Sequence, residues 1–229
     1  MSRRVVIAID GPSGAGKSTI AKAVASRLGY IYIDTGAMYR AVGLWAMRAG
    51  IALDDMHKLE ELARHSEIEF AAGAATVLLN GEDVTGAIRD RAVSDAASKV
   101  SAIPGVRRAM VDAQRRMAEG ASVVMEGRDI GTVVFPDADV KIFLDAEADA
   151  RATRRLEELR QKGQDLAAEA ITREMAERDR RDSTRADSPL VQAPDAVYLD
   201  STGLSIEEVQ EAVLRIVRSR VSNGKEVVR

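Results

Sequence analysis

Residues 5–18 read Val-Val-Ile-Ala-Ile-Asp-Gly-Pro-Ser-Gly-Ala-Gly-Lys-Ser, a short apolar run followed by the pattern G-x-x-x-x-G-K-[ST]. In this pattern the glycines let the main chain wrap around phosphates, and the helix that follows adds partial positive charge. Lys17 reaches the terminal phosphates and the Ser18 hydroxyl binds Mg²⁺. The stretch therefore predicts a strand, a phosphate loop and a helix, in that order. The predicted loop comprises Gly11, Pro12, Ser13, Gly14, Ala15, Gly16, Lys17, Ser18 and Thr19.

Four more short apolar runs follow along the chain, and long helical patterns separate them. The runs at 30–33, 123–125, 140–144 and 197–199, together with 5–9, predict buried parallel strands. Helices are predicted near 17–28, 37–49, 104–118, 148–162, 167–185 and 205–220. The alternation predicts an α/β fold with a five-stranded parallel sheet and helices on both faces, forming a single domain over residues 1–229.

Residues 67–85 depart from this alternation. Strand-like pieces at 67–70, 76–79 and 82–84 are separated by turn residues at Ala72-Gly73 and Asn80-Gly81. Asn-Gly between alternating apolar residues is typical of a β-hairpin. We therefore predict a small antiparallel insert at 63–103, which includes the helix that follows the strands.

Composition and charge exclude several functional classes. The chain has 33 Lys and Arg against 36 Asp and Glu, so no global positive field attracts nucleic acid or an anionic membrane. It has no Cys and two His, which argues against disulfides, thiol nucleophiles and zinc sites, and His57 and His65 are expected at the surface. No apolar run approaches the roughly 18 residues of a membrane span. We expect a cytoplasmic monomer without a nucleic-acid or membrane partner.

Arginines occur at helical spacing in the last third of the chain, in two sets that each occupy one helix face. The sets are Arg151, Arg154 and Arg155, and Arg178, Arg181, Asp182 and Arg185. Such faces are commonly solvated and paired with acids such as Glu174 and Glu177, and those pairs contribute little. Beside a phosphate loop they favour phosphoryl transfer, in which an added arginine can contribute about 10³–10⁵ in rate.

Two further motifs follow predicted strands, where parallel sheets bind their ligands. Asp34-Thr-Gly-Ala-Met-Tyr-Arg40 follows the second strand, and Glu126-Gly-Arg-Asp129 follows the third. Asp34 and Thr35 could instead only cap the next helix. Asp145 ends a later strand and resembles the acid of nucleotide hydrolases, but Ala146 follows where many of them carry Glu, and a helix-capping role stays open.

Five stretches together resemble the bacterial cytidylate kinases of the nucleoside monophosphate kinase group. They are Ile9-Asp-Gly-Pro-Ser-Gly-Ala-Gly-Lys-Ser18, Asp34-Thr-Gly-Ala-Met-Tyr-Arg40, Glu126-Gly-Arg-Asp-Ile-Gly-Thr-Val-Val-Phe-Pro136, Lys141-Ile-Phe-Leu-Asp145 and Arg178-Asp-Arg-Arg-Asp-Ser-Thr-Arg185. They occur in family order over nearly the whole chain. Glu126 stands where many members have Asp, and Thr35 where some have Ser, and both changes keep the functional group.

The resemblance implies transfer of the ATP γ-phosphoryl group to CMP or dCMP with Mg²⁺, a mobile lid at 151–166, and a monophosphate-binding region enlarged by the insert. It implies that cytosine contacts Ser98, Arg107 and Asp129, the sugar contacts Arg178 and Asp182, and the monophosphate contacts Arg40, Arg128 and Arg185, with Thr35 beside them. The expected catalytic groups are Lys17, Arg128, Arg154, Arg155 and Arg178. Ser18 is expected to bind Mg²⁺, with Asp34 directly or through water.

Two alternatives to this function stay open at this point. Another small-molecule kinase, for UMP, AMP or an alcohol, would share the core without the cytosine contacts. A nucleotide-dependent switch or a nucleic-acid-stimulated ATPase would share the phosphate loop, although the chain has no N-K-x-D guanine motif and only 3% aromatic residues.

Overall fold

A computed structural model describes residues 3–71, 76–161, 163–164 and 166–223 of the 229-residue chain. The strands are β1 (Val6–Asp10), β2 (Ile31–Asp34), β3 (Ile68–Phe70), β4 (Val77–Leu79), β5 (Glu82–Asp83), β6 (Val123–Gly127), β7 (Val140–Asp145) and β8 (Val197–Asp200). The helices are α1 (Lys17–Leu28), α2 (Thr35–Arg48), α3 (Met56–Arg64), α4 (Arg91–Val100), α5 (Pro104–Met117), α6 (Ala148–Gln161), α7 (Ala168–Thr184) and α8 (Ile206–Asn223).

The main sheet is parallel, with the strand order β2-β6-β1-β7-β8. β1 and β6 are buried along their whole length because helices cover both faces of the sheet. Successive residues of β1 point to opposite faces: Ile7 and Ile9 pack with α1 and α8, whereas Ala8 packs with α2 and α5. The predicted five-stranded α/β fold is confirmed.

Burial is less complete at the edges of the sheet than the sequence predicts. β8 alternates half-buried and exposed residues, and Tyr198 is 51% exposed. Ile31, the first residue of β2, is 47% exposed. These two strands are the edges of the sheet, so each has a strand neighbour on one side only.

The insert contains the predicted second sheet, an antiparallel one in the order β3-β4-β5. Asn80 and Gly81 connect β4 to β5 with φ of 50° and 80°, the positive values that this tight turn requires. The hairpin prediction is confirmed there. The turn predicted at Ala72-Gly73 lies outside the described residues. The bounds 63–103 stay a prediction.

Helix boundaries differ from the prediction at two places that concern the site. α2 begins at Thr35, two residues early, because the Asp34 carboxylate accepts a hydrogen bond from the N–H of Ala37 at 2.8 Å. A short π-helical turn, Ile130–Val134, follows β6 and was not predicted. α6 covers most of the predicted lid at 151–166, in which residues 162 and 165 lie outside the described part. His57 and His65 are exposed.

No helix in the described ranges combines the length and the apolar character that crossing a membrane requires.

We predict that Gly11→Ala destabilises the protein. Gly11 has a φ of 150°, and a Cβ there would lie 1.9 Å from the carbonyl oxygen of Leu144 in β7. Overpacking costs about 1–3 kcal/mol of folding stability. In a chain of this size 1 kcal/mol shifts Tm by about 2–4 °C, so we expect Tm to fall by about 2–12 °C in thermal unfolding.

The matched control for this variant is Gly86→Ala, because Gly86 has a helical φ of -72° and a Cβ there meets no heavy atom within 4 Å. It should change stability by less than about 0.5 kcal/mol. Equal Tm values for the two variants would contradict the close approach of the loop to β7.

Candidate active site

The carboxyl ends of β1, β2 and β6 meet at one cavity of about 680 Å³. The phosphate loop follows β1, the start of α2 follows β2, and residues 126–129 lie at the end of β6; all of them line the cavity, as do parts of α6 and α7. This is where an open parallel sheet places its ligand site, because every strand ends on the same side.

The phosphate loop leaves the first N–H groups of α1 available to a ligand. Gly16 occupies the N-cap position of α1 with a φ of 89°, and no side chain caps this helix. The unpaired N–H groups and the helix dipole therefore make an anion site in front of α1. Lys17 is 5% exposed, and its Nζ donates to the carbonyl oxygen of Pro12 at 2.6 Å. Burial, and next the charge of Arg128, lower the pKa of Lys17.

Helices α6 and α7 hold the tip of the phosphate loop at Ser13. Arg151 donates to the Ser13 carbonyl oxygen at 2.9 Å and to Asp179 at 2.5 Å. Asp179 also accepts from the Ser13 N–H at 3.2 Å. Arg151 therefore contacts the main chain of the loop, and it does not line the cavity as Arg154 and Arg155 do.

Arg154 and Arg155, one turn further along α6, both line the cavity. Arg154 donates to Oγ and the carbonyl oxygen of Ser201 at 3.0 and 2.6 Å, and Arg155 pairs with Glu158 at 2.7 Å.

Four arginines from three parts of the chain converge on the middle of the cavity. They are Arg40, Arg128, Arg178 and Arg185. Arg40 pairs with Asp34 at 2.9 Å, and Arg128 pairs with Asp182 at 2.8 Å. Nε of Arg40, Nε of Arg178 and Nη2 of Arg185 are buried and have no hydrogen-bond partner among the described residues. Because buried donors are normally satisfied, these atoms indicate an anionic ligand.

The pKa shifts of Arg178 and Arg185 reflect burial first and repulsion from neighbouring guanidinium groups second. Burial, and after it Arg128, lower the pKa of Arg178 to about 10. Burial and then Arg107 lower the pKa of Arg185. Burial also disfavours the charge on Arg128, but the Asp182 carboxylate outweighs it and raises the pKa of Arg128. The acids present neutralise the cluster only in part, so a phosphate would relieve the remaining repulsion.

A buried arginine, Arg107, and a buried aspartate, Asp129, form a pair in the wall of the cavity. Nη2 of Arg107 donates to Oδ2 of Asp129, and Nη1 donates to the Ser101 carbonyl oxygen at 3.2 Å. The Tyr39 ring lies 5.7 Å from the Arg107 guanidinium, a cation–π distance. The pair offers donors and an acceptor side by side in fixed orientation, which suits a flat polar ligand.

The carboxylates near the end of β6 are the groups in reach of a metal ion at Ser18. Glu126 is 4% exposed and accepts from the Tyr32 hydroxyl at 2.8 Å; burial, and next Asp34, raise its pKa. Both oxygens of Asp34 already accept, from Ala37 and Arg40. The described residues contain no cluster of three or more acids or histidines for a metal. One hydroxyl with nearby carboxylates fits Mg²⁺, which usually keeps several waters and phosphate ligands.

Most residues predicted for the site line this cavity; Gly11, Pro12 and Ser98 do not. Ser98 is buried on α4, and its Oγ has no partner among the described residues. The Thr35 hydroxyl lines the cavity and donates to the carbonyl oxygen of Glu126 at 2.7 Å. Asp34 both caps α2 and lines the cavity, so the capping alternative describes part of its role.

Several lining residues were missed. Tyr39 and Glu126 stand inside the quoted motifs, so their neighbours could have drawn attention to them. The cavity wall near Arg154 comes from Ser201, Leu204, Ile206 and Val209, and no pattern in the sequence points to these residues.

Known proteins resemble this chain over nearly its whole length. A family model described as cytidylate kinase matches residues 7–219. A cytidylate kinase of Solibacter usitatus is 66% identical over 226 residues, covering 98% of this chain and 97% of its own length. A cytidylate kinase of Geobacillus kaustophilus is 51% identical over 223 residues, with coverage of 96% and 100%.

Solved structures share the fold at low identity. A gluconokinase from Sinorhizobium meliloti has a TM-score of 0.50 at 18% identity and covers 96% of this chain and 97% of its own. An uncharacterized protein from Eubacterium ventriosum has a TM-score of 0.53 at 13% identity, with coverage of 94% and 99%.

We predict that tripolyphosphate raises Tm and that Arg178→Met reduces this shift by half or more without lowering Tm of the free protein. The anion relieves repulsion among the buried arginines, and a ligand at 100 times its Kd stabilises by about 2.7 kcal/mol. Thermal unfolding with and without the anion measures the effect.

Arg180→Met is the control, since Arg180 lies on the exposed side of the same helix and, among the described residues, pairs with Glu177 alone. It should leave the anion shift unchanged. If both variants lose the Tm shift equally, tripolyphosphate stabilises the protein through general surface charge, and the prediction is contradicted.

Proposed function

This chain belongs to the cytidylate kinase family, and we propose that it carries out the reaction of that family, phosphorylation of CMP by ATP, with dCMP as a second acceptor. The observation that carries the proposal is a single cavity that joins a phosphate loop to the Arg107–Asp129 pair through a set of partly unneutralised arginines. A phosphoryl transfer between two anions needs positive charge around both phosphate groups in one space, and the Arg107–Asp129 pair adds groups that can recognise the acceptor base.

ATP phosphates belong, on this proposal, at the loop in front of α1. The N–H groups of residues 14–18 and the Lys17 ammonium bind them, and the nucleoside extends along the wall formed by residues 201–209. Lys17 follows the transferring group, and a polyphosphate beside it restores the charge that burial disfavours.

Mg²⁺ belongs beside the Ser18 hydroxyl, with Asp34 acting through water because both of its oxygens are occupied. When bound there, the ion would supply positive charge that offsets the negative charge of the phosphates during transfer. Glu126 lies in register with Asp34 across β2 and β6, and we propose that it also orients water there.

CMP belongs in the opposite part of the cavity, with its base at Arg107 and Asp129. Cytosine has an N4 donor beside N3 and O2 acceptors, so the carboxylate accepts from N4 while the guanidinium donates to N3 or O2. Uracil reverses the pattern at positions 3 and 4 and leaves both groups mismatched. The cation–π contact with Tyr39 keeps the Arg107 donors in place. Ser98, whose buried hydroxyl has no hydrogen-bond partner among the described residues, is the third group that we propose for the base.

Arg40, Arg128 and Arg185 bind the CMP phosphate, and Arg178 and Asp182 hold the sugar. A CMP phosphate oxygen attacks the γ-phosphorus in line, the bond from that phosphorus to the ADP oxygen breaks, and ADP leaves with the electron pair. The acceptor phosphate is already anionic at neutral pH, so no strong base is needed. Arg128, Arg178, Arg154 and Arg155 surround the charge on the transferring group.

The lid at 151–166 closes over this group and excludes water, which would otherwise hydrolyse ATP. The Arg151 and Asp179 contacts with Ser13 fix the first turn of α6 to the phosphate loop, so the movement belongs to the part of the lid beyond it.

We also propose that the protein works in the cytoplasm as a monomer, without nucleic-acid or membrane partners. The balanced charge and the lack of cysteine support this. The large exposed apolar residues of the described ranges outside the cavity, such as Met47, Met56 and Tyr198, lie on different elements.

Measurement of ADP release with Mg-ATP and each of CMP, dCMP, UMP, AMP and GMP tests the proposal. We expect strong turnover with CMP and dCMP, and a kcat/KM for UMP lower by about 10²-fold or more, because a mismatched buried donor or acceptor is costly. The control reaction contains no acceptor.

Turnover with a different acceptor would retain the phosphate-loop part of the proposal and overturn the cytosine contacts. ADP release that needs no acceptor would overturn the kinase mechanism.

A further inference from the structure

Asp10 is a buried acid to which neither the phosphate-loop motif nor the proposed reaction assigns a role. It is the last residue of β1 and precedes Gly11, and it is 5% exposed. Oδ1 accepts a hydrogen bond from the N–H of Ile130 at 2.8 Å, and Oδ2 accepts from the N–H of Gly131 at 2.7 Å. One side chain thus binds two consecutive main-chain donors on a different element.

Those two donors are the first N–H groups of the π-helical turn Ile130–Val134. The first N–H groups of a helix have no partner within it, and the side chain at the N-cap position normally supplies one. Asp129 occupies that position here, yet its side chain does not cap the turn. Its carboxylate is paired with Arg107 and lies 3.9 Å from Arg185.

We propose that Asp10 is a positioning residue for the acceptor base: it caps the turn in place of Asp129, so the Asp129 carboxylate stays beside Arg107, where it can accept from cytosine. The inference rests on the proposed function, because it concerns the same base site. Asp10 ends β1, the strand that leads into the phosphate loop, and it lies beside Gly127 at the end of β6. On this proposal β1 therefore also supports the turn that follows β6.

The charge state of Asp10 is consistent with this role. Burial raises its pKa to about 6, while the N–H groups of Gly131 and Ile130 oppose that rise. The charged groups that face it are Asp129, which raises its pKa, and Lys17, which lowers it. At neutral pH the carboxylate is ionised, and both oxygens are acceptors. An asparagine of nearly the same shape has one acceptor oxygen, so it can satisfy one of the two donors and confronts the other with an N–H group.

The test is Asp10→Asn, with steady-state kinetics for CMP, UMP and ATP. Misplacement by about 1 Å can cost up to about 10²-fold, so we expect KM for CMP to rise about tenfold and the CMP-to-UMP ratio of kcat/KM to fall about tenfold. KM for ATP should change less than KM for CMP, because the Asp10 carboxylate hydrogen-bonds to residues 130 and 131 and acts on Lys17 only through its charge. Asp10→Ser, also neutral and with a single hydroxyl, is the second variant if the first does not fold, and the same shifts are expected.

Asp55→Asn is the matched control, because Asp55 caps α3 by accepting from Lys58 N–H at 3.2 Å and does not line the cavity. It should alter none of the three constants. A second comparison uses Asp129→Ala: if Asp10 acts through Asp129, adding Asp10→Asn to that variant lowers the CMP-to-UMP ratio no further.

A variant at residue 10 that loses thermal stability but keeps the wild-type KM for CMP and the wild-type base ratio would overturn the proposal, since Asp10 would then be only structural. An additive double variant would overturn it as well. Failure of the proposed function is distinguishable: the wild-type protein would then not phosphorylate CMP, whereas amide hydrogen exchange at residues 130 and 131 would still report the loss of the cap.

Discussion

The site depends on holding several guanidinium groups and one buried ammonium in the same cavity with too few acids to neutralise them. Asp34 pairs with Arg40, Asp182 with Arg128, and Asp129 with Arg107. Nε of Arg178 and Nη2 of Arg185 are left without a hydrogen-bond partner among the described residues. Like charges held together in a low-dielectric space cost free energy, and the fold tolerates this because β1, β6 and the helices around them are tightly packed. On our proposal, two phosphate-bearing substrates complete the charge balance.

The parallel sheet explains how so short a chain brings these groups together. All five strands end on one side, so loops far apart in sequence meet within one cavity. In the order β2-β6-β1-β7-β8, β6 is next to β1. The residues that follow β6, which we assign to the acceptor, therefore lie beside the phosphate loop that follows β1. We propose that Asp10 uses this adjacency to support the turn after Asp129. The proposed ATP and CMP sites then lie at the ends of two paired strands, and the sheet sets the distance between them.

Sequence patterns predicted the parts whose causes are local. The strand, phosphate loop and helix at 6–28 follow from an apolar run and a motif in direct succession, and the hairpin follows from Asn80-Gly81. Parts that depend on register between distant strands could not be predicted, such as the hydrogen bonds from Tyr32 to Glu126 and from Ile130 to Asp10. The helical spacing of Arg151, Arg154 and Arg155 predicted a shared face, but Asp179 on another helix determines where Arg151 points.

The central claim is that donor and acceptor phosphates meet in one space. Steady-state inhibition by a bisubstrate compound, in which a chain of five phosphates joins cytidine to adenosine, tests it most directly. The account predicts that the compound competes with both ATP and CMP and binds more tightly than either, because it fills both ends and pays the entropy of association once. Competition with only one substrate would contradict the account, since the two phosphate sites would then not belong to one continuous cavity.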